Sequence, residues 1–308
     1  MRRIGVLLVI TFLLGFSSMV SAADVVNDTW LDGTRSDPAA PTYSEMGADS
    51  DVDGDIESAW FRGGAGTFDP VGAGGPLRLT QTGTSSASLT SYFTPEGSEL
   101  TLNNAGDSIR VTWGFQVSGQ LGANTSQGFR IAVVDSPAAS RVSSEASPGS
   151  ATYTGYSLFM NMNPGTFSHG DPFELHERAA PATASALLSA SASWAALVDV
   201  GTSGNASYTT GVDYTFIMEL TRRVDGNLDI MTSMAGTGLD GTGLMQINYT
   251  GAPNGGSYAF DTFQFRPDGY DVSWEVFDTS LFKVEFVPEP ATIALFGLGL
   301  LALRRNKK

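Results

Sequence analysis

The chain has 308 residues, with 32 acidic against 17 basic side chains, a net charge of −15 and no cysteine. An excess of negative charge repels nucleic acid and anionic lipid, so neither is an expected partner. The absence of cysteine excludes a disulfide framework and thiolate chemistry, and the length is sufficient for one large domain with its own core.

The first 22 residues have the organisation of a secretory signal peptide. Two arginines precede an apolar run at 4–16, and the segment ends in small residues at Ala22 and Ala23. A basic start, a short apolar stretch and small side chains at the cleavage site are typical of this signal. We expect signal peptidase to cut after Ala22 or Ala23 and the rest of the chain to be exported across the inner membrane.

An acidic run follows, in which carboxylates occupy alternate positions around a glycine: Asp49, Asp51, Asp53, Asp55 and Glu57. Carboxylates spaced in this way can surround one hard cation, and the run begins like the calcium loop of an EF hand. That loop has a bidentate glutamate at its twelfth position, where this chain has Trp60. The run therefore has two interpretations, a calcium site or a solvated acidic turn.

Alternating apolar and polar residues predict β-strands along most of the body. The clearest are 109–117 and 212–220, and the second is followed by a turn at 225–227 and a partner strand at 228–232. Further strands are predicted at 77–82, 88–93, 129–134, 156–161, 245–249, 258–265 and 272–286, the last with a break near Asp278.

The pattern as a whole predicts an all-β fold, a two-sheet antiparallel jelly-roll sandwich that forms a single domain over residues 24–286. The Ala/Ser-rich stretch 182–196 is predicted as a loop with at most one helical turn. The strand order, with 261–267 followed by a last strand at 281–286, resembles concanavalin A-like and laminin G-like sandwiches. That resemblance implies a fold that often hosts carbohydrate-binding modules and glycan-active enzymes.

Candidate catalytic residues are sparse. Glycoside hydrolysis needs two carboxyl groups that face one bond, and only Glu174 and Glu177 approach such a motif. In a strand, residues three apart lie on opposite faces. His169 and His176, the only histidines, are seven positions apart in a segment predicted as a loop, which is not a zinc-ligand spacing. We therefore expect no enzymatic activity, with hydrolysis of an extracellular glycan as the alternative.

Three tryptophans near predicted turns are candidate sugar platforms: Trp30, Trp60 and Trp194. An exposed indole ring can stack on the apolar face of a pyranose. For each of them the alternative is packing in the core, where large aromatic side chains are mostly found.

The C-terminal end carries three features in order. Val287, Pro288, Glu289 and Pro290 precede an apolar run at 291–303, and a basic end with Arg304 and Arg305 follows. Thirteen helical residues rise only about 20 Å, less than the roughly 30 Å of a hydrocarbon core. The run predicts a short transmembrane helix whose basic end stays on the cytoplasmic side.

This tail resembles the PEP-CTERM sorting signal of exosortase substrates and is similar to the VPEP motif of so-called ice-binding C-termini. The resemblance implies a transient membrane anchor, cleavage by exosortase at 288–290, and transfer to the cell surface or extracellular matrix. An ordinary tail anchor is the alternative. The expected function is that of a non-catalytic surface or matrix protein associated with polysaccharide or biofilm. A purely structural, calcium-stiffened surface protein is a further alternative.

Overall fold

The computed structural model describes residues 22–81, 83, 85–149, 151–179, 186–267 and 273–289. In this part of the chain there are 17 β-strands and four 3₁₀ turns. The strands are β1 (Ala23–Asp28), β2 (Trp60–Gly64), β3 (Thr67–Pro70), β4 (Leu77–Thr80), β5 (Ala87–Tyr92), β6 (Leu100–Thr101), β7 (Ser108–Gln120), β8 (Phe129–Asp135), β9 (Thr154–Met160), β10 (Phe173–Arg178), β11 (Trp194–Val200), β12 (Tyr214–Arg222), β13 (Leu228–Ala235), β14 (Leu244–Gly251), β15 (Ala259–Phe260), β16 (Thr262–Pro267) and β17 (Trp274–Val287). The turns are Ala138–Ser140, Ser191–Ser193, Leu239–Gly241 and Asn254–Gly256.

Two large antiparallel sheets contain nearly all of these strands. One has the order β14-β13-β12-β7-β17-β4-β3, and the other has the order β11-β10-β9-β8-β16-β5-β2. β17 pairs with β7 along most of its length, and its other side pairs first with β4 and then with β1. The predicted all-β, two-sheet antiparallel sandwich is confirmed.

The core lies between the two sheets, and the alternation in β7 shows why. Its apolar positions are all at most 1% exposed: Ile109, Val111, Trp113, Phe115 and Val117. Trp113 stacks on Phe265 of the opposite sheet with ring centroids 4.7 Å apart, and Trp60 meets Phe282 edge-on at 5.0 Å. Such aromatic pairs join the sheets and add about 0.5–1.5 kcal/mol each beyond the area that they bury.

The outer faces of the two sheets differ. On the seven-stranded sheet, Leu187, Leu188 and Trp194 pack over β8 and β9, and Tyr43 packs over β2 and β5. The outer face of the eight-stranded sheet instead carries partly exposed polar side chains such as Thr112 and Gln116. Among the described residues, the outer face of the eight-stranded sheet is therefore the less covered of the two.

Some strands were not predicted from the sequence: β1, β2, β3, β6, β10 and β11. His176 lies in β10 and not in a loop. Within the Ala/Ser-rich stretch, the described residues contain the 3₁₀ turn Ser191–Ser193, and Trp194 begins β11. The predicted helical turn is present, but the segment ends as a strand.

Both predicted processing segments lie at the limits of the described chain. Residues 1–21 of the signal peptide, Pro290, the apolar run 291–303, Arg304 and Arg305 lie outside the described residues. Within the described ranges, no helix has the length and apolar character needed to cross a membrane. Ala23, the first residue of β1, pairs with Phe286 near the end of β17, so the two ends of the body lie side by side.

Candidate metal centre and the neighbouring cleft

The acidic run lies in the long loop between β1 and β2, and its members differ in burial. Asp55 and Glu57 are only 3% and 4% exposed, Asp53 is half-buried, and Asp49 and Asp51 are exposed. The run is therefore not a uniformly solvated turn, and its buried end is the part in which charge has to be compensated.

Carboxylates from three stretches of the loop come together here. Ligand oxygens within 4.8 Å of one another form three overlapping groups: Asp32, Asp53 and Glu57; Asp37, Asp51 and Glu57; and Glu45, Asp49 and Asp51. The five predicted ligands do not form one ring. Asp49, Asp51, Asp53 and Glu57 are divided among these groups, which also contain Asp32, Asp37 and Glu45, whereas Asp55 belongs to none of the three. Clustered carboxylate oxygens are the ligands that hard divalent cations prefer, so these groups could hold a metal ion.

No sequence pattern pointed to Asp32, Asp37 or Glu45, because only the folded loop brings them to the run. Asp32 stands in an ordinary Asp-Gly turn after β1, and 21 positions separate it from Asp53. Turn residues of this kind occur throughout the chain and do not by themselves indicate a ligand.

Burial and like charge make this cluster electrostatically unfavourable without a counter-charge. Burial, with the nearby charges of Asp32 and Asp28, raises the pKa of Glu57 to about 9. Burial and contact with Asp55 raise the pKa of Asp53 to about 6. Burial also raises the pKa of Asp28 well above its usual value. A bound cation would favour the ionised forms of these groups.

Asp55 connects the cluster to the segment that follows β1. Its Oδ2 accepts hydrogen bonds from the Thr29 N–H at 2.8 Å, the Thr29 hydroxyl at 3.1 Å and the Leu31 N–H at 3.4 Å. The Trp30 carbonyl in turn accepts the Gly74 N–H at 2.7 Å. One carboxylate thus holds the segment 29–31, and that segment holds the turn that contains Gly74.

A cleft of about 290 Å³ opens on the outer face of the eight-stranded sheet beside this segment. Its walls are the loop residues Thr29, Leu31, Gly74, Gly75 and Pro76 and the sheet residues Gln116, Asp213, Asp278 and Ser280. The Gln116 amide donates to Asp213 at 2.7 Å, and Arg78 holds Asp278 through two hydrogen bonds of 2.6 and 2.7 Å. Carboxylate, amide and hydroxyl groups therefore converge on one small concave surface.

A β-bulge brings Ser280 into the cleft. β17 pairs Thr279 with Phe115 and Leu281 with Gly114, which leaves Ser280 as the extra residue. Bulges of this kind redirect a side chain and bend the strand. A Cβ at Gly114 would lie 3.2 Å from the Ser280 hydroxyl, so the glycine provides the room. The bulge accounts for the break predicted near Asp278.

The three candidate sugar platforms are buried, Trp30 and Trp60 in the core between the sheets and Trp194 on the covered outer face of the seven-stranded sheet. Trp30 and Trp60 are fully buried, and Trp194 is 5% exposed. The Trp194 indole N–H donates to the Leu187 carbonyl at 3.1 Å. The burial of these rings favours the alternative interpretation, in which large aromatic side chains pack inside the protein.

β10 does not form a hydrolytic carboxylate pair. Its pairing with β9 is regular, so Glu174 and Glu177, three positions apart, lie on opposite faces. Glu174 lies 3.1 Å from the His176 ring nitrogen, and that ring stacks on Phe159 at 4.0 Å. His169 is in the loop before β10, where its ring lies near Asp171.

Comparison with known proteins gives one sequence match and several structural likenesses. Residues 286–308 match the model of the PEP-CTERM protein-sorting motif, so the chain carries the sorting motif that its tail predicted. No curated protein matches the chain.

The solved structures that it resembles include lectin II from Ulex europaeus, at 9% identity and a TM-score of 0.39, over 73% of this chain and 92% of that one. The Emp46p carbohydrate recognition domain in its metal-free form has 13% identity and a TM-score of 0.41, over 73% and 87%. The Ca²⁺-bound exoplasmic/lumenal domain of VIP36 has 14% identity and a TM-score of 0.42, over 73% and 82%. Likenesses this distant assign no ligand to this chain.

Proposed function

We propose that the chain is an exported, exosortase-processed protein of the cell surface or extracellular matrix, whose sandwich binds polysaccharide without cleaving it. We further propose that calcium is the cation of the acidic cluster. The sorting motif supports the export route, because it implies a transient membrane anchor before processing. The observation that carries the binding role is the polar cleft on the open face of the eight-stranded sheet.

The groups that line the cleft are complementary to sugar hydroxyls. Asp213 accepts hydrogen bonds, Gln116 both donates and accepts, and so does the exposed hydroxyl of Ser280. Leu31 is 43% exposed at the rim and offers apolar surface to a sugar ring. A few convergent polar groups beside an apolar wall are the usual composition of a small-molecule or glycan subsite.

The charge of the body favours a neutral polysaccharide. Without the two processed ends, the chain has 31 acidic against 11 basic side chains, and Lys283 is its only lysine. A surface of this charge repels uronic acids and sulfated sugars. The preferred ligand is therefore a glycan without charged groups.

Two carboxylates of the cleft are already engaged, which supports binding without cleavage. Asp278 is paired with Arg78, and Asp213 accepts the Gln116 amide. Hydrolysis of a glycosidic bond needs two carboxyl groups, one of which is a general acid with a raised pKa. Glu174 and Glu177, the carboxylates of the enzymatic alternative, lie on the other sheet.

The export route is tested by the mass of the protein recovered from the surface and medium of its native host. We expect a product that has lost both ends, whereas a variant with alanine at Pro288, Glu289 and Pro290 keeps its tail and remains in the inner membrane. A wild-type protein that extends to Lys308 would mean an ordinary tail anchor, and the matrix role would lose its support.

The binding role is tested by retention of the exported protein on gels of neutral polysaccharides, with release of reducing sugar measured alongside. Asp213→Asn removes a charged acceptor, so retention should weaken about tenfold or more. Asp199→Asn is the matched control, because Asp199 is exposed on β11 in the other sheet. If the gels retain neither the wild type nor the control, the purely structural alternative is favoured. Release of reducing sugar would favour the enzymatic alternative.

A further inference from the structure

Glu57 belongs to two of the three acidic groups, and the unpartnered Oδ2 of Asp53 distinguishes the group that Glu57 forms with Asp32 and Asp53. Glu57 as a residue is only 4% exposed, and its carboxylate has no hydrogen bond or ion pair with any described residue. It nevertheless lies within ligand distance of Asp32 and Asp53. A buried carboxylate with no partner is costly, and a cation is the counter-charge that this position lacks.

Two further oxygens at the same place have no partner. Asp53 Oδ2 and Asp55 Oδ1 are buried and accept no hydrogen bond from the described residues, and the two side chains contact each other. Their other oxygens are used: Asp53 Oδ1 accepts the Asp55 N–H, and Asp55 Oδ2 accepts the Thr29 and Leu31 groups. Each carboxylate thus keeps one oxygen available for a cation.

The group with Glu45 and Asp49 is different, because its oxygens already have partners. Asp49 accepts the N–H groups of Val52 at 2.7 Å and Gly54 at 3.2 Å. Glu45 accepts the N–H of Ser50 at 2.5 Å and that of Glu57 at 3.0 Å. These carboxylates stabilise the loop and have little remaining capacity for a metal.

We propose that one divalent cation binds between the segment after β1 and the acidic run, held by Asp32, Asp53 and Glu57 and by the unpartnered Oδ1 of Asp55, which contacts Asp53, and that it fixes the wall of the cleft. The cation site stands independently of the proposed function, whereas its effect on the cleft rests on the proposed polysaccharide binding. Carboxylates from separate stretches of one irregular loop suit Ca²⁺, which takes six to eight oxygens in flexible geometry, better than Mg²⁺, which demands a regular octahedron.

The coupling to the cleft passes through Asp55. A cation on its Oδ1 would fix the carboxylate, whose Oδ2 holds the main chain at Thr29 and Leu31. The Trp30 carbonyl accepts the Gly74 N–H. Thr29, Leu31 and Gly74 all line the cleft. Removal of the cation would therefore loosen one wall while the sheet residues on the other wall stay in place.

The test uses the exported, processed protein, stripped with a chelator and titrated with Ca²⁺ in a calorimeter. We expect one site in the wild type, and at least about tenfold weaker binding for Glu57→Gln and Asp53→Asn, since each removes a charged ligand. Asp49→Asn is the matched control and should bind as the wild type does. Circular dichroism and melting in chelator show whether each variant folds, and added Ca²⁺ should raise the melting temperature of the wild type and control only.

Retention on the polysaccharide gel then tests the coupling between the cation and the cleft. We expect retention of the wild type to fall in chelator. Retention of Glu57→Gln should be low with or without Ca²⁺. No heat at millimolar Ca²⁺, or an Asp49→Asn variant as weak as Asp53→Asn, would overturn the site. Calcium binding with retention unchanged by chelator would overturn the coupling alone. Calcium binding without any retention would leave the site standing and count against the polysaccharide role.

Discussion

The ion pair between Arg141 and Asp261 offers the sharpest test of what holds the sandwich together. Both side chains are fully buried, and the guanidinium lies 2.7 Å from the carboxylate. Arg141 also donates to the Thr94 carbonyl at 2.7 Å and lies over the Tyr92 ring at 5.0 Å. Asp261 accepts both the N–H and the hydroxyl of Ser136, at 2.9 and 3.0 Å. The pair thus joins the segment after β8 to the start of β16.

Arg141→Met leaves the carboxylate buried without its counter-charge, and breaking such a pair costs about 3–5 kcal/mol. Burial raises the pKa of Asp261 from 3.8 to about 6 even with Arg141 beside it. The folded wild type therefore binds this proton more tightly than the unfolded chain, and it loses stability as the pH rises between those two values. Without the arginine the folded pKa rises further, so the variant keeps losing stability above pH 6, by at most about 1.4 kcal/mol per pH unit.

The assay is urea denaturation of the processed protein between about pH 6 and about pH 8, with the free energy of unfolding taken by linear extrapolation. The cost of Arg141→Met should be smaller at about pH 6 than at about pH 8, by up to about 3 kcal/mol. Arg110→Met is the control, because its pair with Glu219 is partly exposed and such pairs contribute about 0–1 kcal/mol. A cost equal to that of the control, or a cost independent of pH, would refute this account of the pair.

Two further predictions concern β9 and β10. Gly155→Ala should destabilise the protein by more than about 1 kcal/mol in the same denaturation assay, because the glycine has φ +138° and a Cβ would lie 2.6 Å from a β8 carbonyl. Gly170→Ala, where a Cβ meets nothing within 4 Å, should change little, and equal effects would contradict the reasoning. Burial lowers the pKa of His176, with Arg130 adding to the effect, although Glu174 opposes it. As the pH drops, the unfolded chain takes up this proton before the folded protein does, so stability falls below about pH 6.5. His176→Gln should reduce that pH dependence by up to about 1.4 kcal/mol per pH unit. An unchanged pH dependence would mean that the ring is already charged in the folded state.

The strands that the sequence predicted are those with a regular alternation of apolar and polar residues. β7 and β12 have one buried face, and their pairing through Phe216 and Trp113 follows from that face. β10 and β11 do not alternate in the same way. His176 and Arg178 lie on the outer face of their sheet but are covered by other side chains, and β11 has alanines at two of its three exposed positions. Where loops cover an outer face, polar residues become buried and the period-2 signal is lost.

The candidate site was only half predictable for a related reason. The carboxylates of the acidic run were visible as a local pattern, but Asp32 joins them only because the loop folds back on β1. The cleft depends on a bulge at Ser280 and on a turn at Gly74 that sequence spacing does not relate to each other. Short-range pattern identifies residue types and faces, whereas a site assembled from distant segments depends on tertiary packing.

The arrangement of the two ends explains how processing and folding are compatible in one chain. β17 is the last strand of the body, yet it lies inside the eight-stranded sheet, between β7 on one side and β4 and β1 on the other. The sheet is therefore incomplete until residues up to Val287 are available to pair. The sorting motif begins within that strand, at residue 286, and Glu289 is tied to the body by one hydrogen bond from its N–H to Asp107 at 2.7 Å. Because β17 ends at Val287, cleavage at 288–290 would remove the tail without removing any residue of the sheet.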